Sequence, residues 1–122
     1  MPFDSEVTAR EGTVRYSEMV GGSVKKSEEA ASTLFAVYAD NSLNTAASYL
    51  KLYNSLTADV TVGTTAPDMA FRIPAGETLT QHISPGVGYA FTTGLTAVVV
   101  IAGGTGNTVA PTSAVKVTLY TN

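Results

Sequence analysis

Cysteine is absent from this chain, which excludes a disulfide framework, a thiolate nucleophile and a zinc ribbon together. Histidine is almost absent: the single imidazole, His82, is too few for a histidine-rich metal site. Charged residues make up only 14% of the chain and the formal net charge is −3. Of the seven cations only Lys25 and Lys26 are adjacent, so no basic stripe exists to neutralise a run of phosphates, and no nucleic-acid partner is expected. Long hydrophobic runs are missing too. The most apolar window, Leu95 to Gly103, has about half the length that a bilayer crossing needs. The opening MPFDSEVTAREGTVRY lacks the basic start and apolar stretch of a signal peptide. These features predict a soluble protein made in the cytosol, with no membrane partner.

What is present is ample Gly, Thr, Ser and Ala in a chain of 122 residues, near the commonest size for one domain and long enough to bury roughly two thirds of its unfolded surface. Without cysteine staples, stability must come from packing, strand pairing and assembly with partners. Charge is unevenly spread: ten of the seventeen charged residues fall in the first 31 positions. Residues 1–31 are therefore read as an N-terminal arm or a pair of edge strands, and residues 32–122 as the body. As an arm, the segment should be removable without unfolding the body.

Within the arm, Gly12 to Val20 can alternate as a strand, Gly21 and Gly22 make a turn, and Ser27 to Ala31 reads as a helical turn capped by Ser27. The body reads as seven short strands divided by Gly, Pro, Asn and Asp. In Thr33 to Ala39 the alternation groups Phe35, Val37 and Ala39 against Leu34, Ala36 and Tyr38. Ala46 to Asn54 places Leu50 and Leu52 on one face, with Tyr49, Lys51 and Tyr53 on the other. Met69 to Ile73, Thr78 to Ser84 and Gly88 to Thr93 follow. Leu95 to Ile101 is apolar on both faces, as a central strand covered on each side requires, and Ala114 to Tyr120 alternates Val115, Val117 and Leu119 against Lys116, Thr118 and Tyr120. Seven strands at this spacing, with almost no helical periodicity, predict an all-β fold: an antiparallel β-sandwich, jelly-roll-like, with an N-terminal arm.

No pattern of catalytic residues emerges, and the chain is read as non-enzymatic. His82 lies within TLTQHIS, where the alternation makes it a half-exposed strand residue; no G-x-S-x-G elbow surrounds any serine. The glycine loop GGTGNT, residues 103–108, lacks the Lys-Ser/Thr ending of a phosphate cradle and reads as a flexible connection. Asp40, Asn41, Asn44 and Asp68 offer oxygen atoms to calcium, but without dense acidic spacing they are read as turn formers. No cofactor or metal is expected. Tyr49, Lys51 and Tyr53 form a flat aromatic face suited to cross-strand packing, to a protein contact or to stacking on a sugar. The candidate interface residues are Tyr16, Met19, Tyr49, Lys51, Tyr53, Arg72 and Tyr120.

The order YLKLYN from Tyr49, VGTTAPD from Val62, FRIPAGET from Phe71, GVGYAFTTGLT from Gly86 and VKVTLY from Val115 resembles small tailed-bacteriophage virion proteins of the capsid cement or decoration type. The resemblance spans Ala46 to Asn122 and leaves out the arm. It implies a compact β-sandwich on the outer surface of the phage head that locks neighbouring major capsid protein subunits together. It also implies a homo-oligomer, with a trimer favoured. A tail or fibre adhesin domain that binds host glycans through Tyr49, Lys51 and Tyr53 or the GGTGNT loop is the competing reading.

Overall fold

A computed structural model describes residues 14–20, 25–83 and 87–121, with side chains from residue 29 onward. Among the described residues the chain forms nine strands: β1 (Val14–Val20), β2 (Lys25–Glu28), β3 (Ser32–Asp40), β4 (Ser48–Tyr53), β5 (Met69–Ile73), β6 (Thr78–His82), β7 (Tyr89–Phe91), β8 (Leu95–Val100) and β9 (Val115–Thr121). A single 3-10 turn, Thr57–Asp59, interrupts the loop after β4. The fold is all-β, in two antiparallel sheets. One runs β1-β9-β3-β6, with β7 also on β3; the other runs β2-β8-β4-β5.

The pairing is nested. β4 pairs with β5, β3 with both β6 and β7, β2 with β8, and β1 with β9. The chain thus doubles back at the loop 54–68, and its first half pairs outward with its second. β9 also lies beside β3 and β8 beside β4, which completes each sheet.

The sequence dictates which faces meet. In β9 the apolar positions Val115, Val117 and Leu119 are buried while Lys116 is exposed. They pack with Leu34, Val37 and Ala39 of the same sheet, and against Leu50, Leu52, Ile73, Leu95, Ala97 and Val99 of the other, in one cluster. Each such side chain withdrawn from water contributes roughly 1.5–3 kcal/mol relative to an exposed one. β8 is buried at all six positions, as a strand with partners on both edges and cover on both faces should be.

Two expectations are corrected. β3 does not alternate through its length: Leu34 is buried, Phe35 and Ala36 are both half-buried, and Val37 and Ala39 are buried again. A bulge between Leu34 and Ala36 shifts the register against β9, so one extra residue resets the phase and groups Leu34, not Phe35, with Val37 and Ala39. Ser27 does not cap a helical turn either. It lies within β2, which pairs with Leu95 to Ala97 of β8 through a bulge between Lys26 and Glu28. The unpaired edge of β8 competes with the local capping preference, and the ladder wins.

The loops gather at two ends. At one, Asn41 and Asn44 tie loop 41–47 to Ile73 and Pro74 and to Ser113. At the other, Asn54 bonds Thr92 and Thr93, and the Glu29 carboxylate accepts from the Thr57 N–H.

Candidate interaction surfaces

β4 places Tyr49, Lys51 and Tyr53 on the face turned away from the shared core, and the chain itself covers that face. Tyr53, Val98 and Val100 form a second apolar cluster with Val60, against which Tyr49 and Val62 pack. The cover comes from two loops that meet: a Cβ on Gly63 would lie 2.6 Å from the Thr108 methyl. Gly63 also has φ of 95°. Gly63→Ala is therefore expected to lower the unfolding free energy by about 1–2 kcal/mol, from left-handed strain before any clash, and a denaturant titration reads it directly. A variant as stable as wild type would contradict the left-handed backbone at Gly63.

Under this cover Lys51 has no exposed surface. Its Nζ donates to the Gly104 carbonyl at 2.6 Å. Burial holds the Lys51 pKa below its ordinary value of 10.5 and raises that of Tyr53 above its ordinary 10.0, because both charged forms lose water. For a base with a lowered folded pKa, the unfolded chain binds more protons between the two values, so stability increases with pH across that interval. For Tyr53 the reverse holds, and stability falls once the pH passes 10.0. Wild-type unfolding free energy is thus expected to rise with pH in the interval that ends at 10.5, with the rise lost in Lys51→Met. An equal slope in the variant would assign it to other groups.

Of the options the sequence left open for Tyr49, Lys51 and Tyr53, this placement favours packing within the protein and removes Lys51 and Tyr53 as outward contacts of the single chain. Tyr49 is half-buried, and the other two are inaccessible in the single chain. The glycan-binding reading loses that face. Sequence alternation gave the side of the strand correctly but carries no information on what a distant loop covers.

The opposite sheet is different. Its outer face carries Ala36, Tyr38 and Asp40 of β3, Lys116, Thr118 and Tyr120 of β9, and Thr78, Thr80 and His82 of β6, all half-buried or exposed. The register sets them in rows: His82, Ala36 and Tyr120; Thr80, Tyr38 and Thr118; Thr78, Asp40 and Lys116. β1 extends each row by backbone register, with Arg15 opposite Tyr120, Ser17 opposite Thr118 and Met19 opposite Lys116. Tyr16 stands opposite the buried Leu119; the side chains of Tyr16 and Met19 lie outside the described residues.

Of the seven candidate interface residues, then, Tyr120 and the position of Met19 fall on the open face. Tyr49, Lys51 and Tyr53 fall on the sealed one, and Arg72 is exposed on β5 at a register position opposite Tyr49. Sequence reasoning put Lys116 and Thr118 on the same side of β9 as Tyr120 but missed Tyr38 and the β6 residues that stand beside them. The order of strands brings them together, and no local signal encodes that order.

Several of the other polar groups are committed to structure. Asn41 and Asn44 spend their amides on carbonyls and on each other, as turn formers rather than cation ligands. Asp40 accepts from the Ser42 N–H at 2.9 Å, and bonding to Ser42 holds its carboxyl below the ordinary 3.8. Asp68 accepts from the Asn54 N–H at 2.6 Å. His82 is exposed on β6, paired with Ala36. A small cleft between loop 41–47 and residues 101–112 is lined by side chains such as Ala46, Ala47, Ile101 and Pro111, with no titratable group among them. No family model, curated protein or solved structure matches the chain.

Proposed function

We propose that this chain is a structural, non-enzymatic virion protein of the cement or decoration type: a jelly-roll-like antiparallel β-sandwich that sits as a homotrimer on the outer surface of a phage capsid and ties neighbouring major capsid protein subunits together. The sandwich reading is supported by the single core shared between the sheets. The jelly-roll reading is supported by strand order. If β6 and β7 count as one interrupted strand along β3, the orders β1-β9-β3-β6 and β2-β8-β4-β5 become those of an eight-stranded roll, a fold found in viral capsid and lectin domains. Fold alone does not fix function.

The observation that carries the docking reading is the asymmetry between the two outer faces. The chain's own loops close one, while the other presents Tyr38, Thr118 and Tyr120 in adjacent rows, half-buried and flanked by exposed Lys116 and Thr80. Tyrosines supply large contact area at low entropic cost and anchor protein interfaces. A protein that binds the expanded shell stabilises it by mass action, and a closed oligomer touching several subunits gains avidity from modest single contacts.

The test is co-sedimentation of the purified protein with phage heads that lack it. Binding is expected, together with restored resistance of those heads to heat and low salt. The double variant Tyr38→Ala/Tyr120→Ala is expected to bind at least tenfold more weakly, as loss of two interface tyrosines implies. Failure of the wild type to sediment with heads, or undiminished binding by a folded double variant, would contradict the proposal.

A further inference from the structure

Along one side of the sandwich the core reaches the surface. β5 and β6 are the end strands of their two sheets, and the short turn between Ile73 and Thr78 keeps them on the same side. Met69, Phe71, Leu79 and Ile83 pack on the main core but stay half-buried, and all of them lie on these two strands or at the residue just after β6.

Hydrogen bonding shows what β6 lacks. The Asn41 N–H donates to the Glu77 carbonyl and the Ile83 N–H to the Phe35 carbonyl, so antiparallel alternation also turns the backbone groups of Leu79 and Gln81 toward β3. Those of Thr78, Thr80 and His82 point the other way, where no strand follows β6 among the described residues. The outward His82 carbonyl accepts from the Gln81 side-chain amide at 3.1 Å, a side chain standing where a strand would bond. Open edges are normally guarded by charge or proline. β1 carries Arg15 and Glu18, β2 carries Lys25, Lys26 and Glu28, and β5 carries Arg72. β6, with the sequence TLTQH, has no Asp, Glu, Lys, Arg or Pro.

We propose that β6 pairs with β6 of a second copy of this chain, antiparallel about a two-fold axis between their Thr80 residues. The strand is its own complement. Centred on Thr80, the pairing sets Thr78 of each copy opposite His82 of the other, and every such pair exchanges both of its N–H···O bonds. Any other two-fold register leaves one of the three outward residues without a strand partner. No like charges meet, and threonine faces threonine, a cross-strand pair that stabilises sheets. On the inner face the same register places Leu79 diagonally beside Leu79 and Ile83 of the second copy, which covers part of the exposed core. The joined sheet ends at β1 in each copy, at the edge that carries Arg15 and Glu18, so the pairing closes at two copies and does not grow. The contact uses a strand edge rather than the outer face, and it is independent of capsid binding and of threefold assembly.

The test combines mass in solution with cross-linking, on the full chain without capsids. Analytical ultracentrifugation is expected to give an even number of 12.6 kDa chains. Thr80→Lys, which sets a charge on the axis at a position already exposed in the single chain, should halve that mass, with circular dichroism reporting the fold. The chain has no cysteine, so Thr80→Cys reports alone. Mild oxidation is expected to link its copies into a disulfide dimer, because opposed Cα atoms about 5.5 Å apart lie within disulfide range. Thr78→Cys, whose copies stand opposite His82, should not link. Should Thr80→Lys fail to fold, the two cysteine variants decide. An odd-numbered wild-type mass, an unchanged mass in folded Thr80→Lys, or linking no readier in Thr80→Cys than in Thr78→Cys would overturn the proposal.

Discussion

Asn41→Ala is expected to lower the unfolding free energy by about 3 kcal/mol and the thermal midpoint by about 10 °C, the fall that such a loss produces in a domain of this size. The Asn41 side chain is wholly buried. Its amide donates to the carbonyls of Ala46, Ile73 and Pro74 at 3.0, 3.2 and 3.1 Å. Its carbonyl oxygen accepts from Asn44 Nδ2 and Ser48 Oγ, both at 2.8 Å. Each bond is worth only about 1 kcal/mol net, but removing the hub strands buried partners that water cannot easily reach. Asn44 extends the network to the backbone of Ser113, so the loops at this end lose their common tie. Asn41→Asp should be at least as damaging, because it sets a carboxylate against three carbonyls. Thermal melts of the two variants check this, and a fall of a degree or two would mean that the loops are held by other contacts.

Deleting residues 1–31 is expected to abolish cooperative unfolding, the opposite of what a detachable arm would do. β1 pairs with β9 at seven consecutive positions, and β2 covers one edge of β8. Without them, β9 and β8 both become edges. β8 is apolar and buried at every position, and a bare edge of that kind templates aggregation. Size-exclusion chromatography and a melt followed by circular dichroism provide the measurement. A monomeric truncated protein with a sharp transition would show that residues 32–122 fold alone.

Much of the architecture was legible in the sequence because alternation and turn residues are local. Met69–Ile73 was bounded correctly, and the inward side of β9 and the double burial of β8 followed from Val115, Val117, Leu119 and the run LTAVVV. What escaped was non-local. The bulge in β3 depends on the partner register, and the strand character of Lys25–Glu28 depends on the unpaired edge of β8. The sealed state of Lys51 depends on a loop that arrives about fifty residues later, and that of Tyr53 on Val60 and Val62 in the loop after its own strand. The candidate face around Tyr120 was half legible. Its strand phase, with Thr118 and Lys116 beside Tyr120, could be read, but its neighbour Tyr38 required the order β9-β3-β6.

An electron-microscopy map of a phage particle containing this chain tests the docking account most directly. The account predicts density for the chain on the outside of the head, with Tyr38, Thr118 and Tyr120 pressed against the major capsid protein. A chain located in the tail, or one whose Tyr38 and Tyr120 face points to solvent, would contradict it.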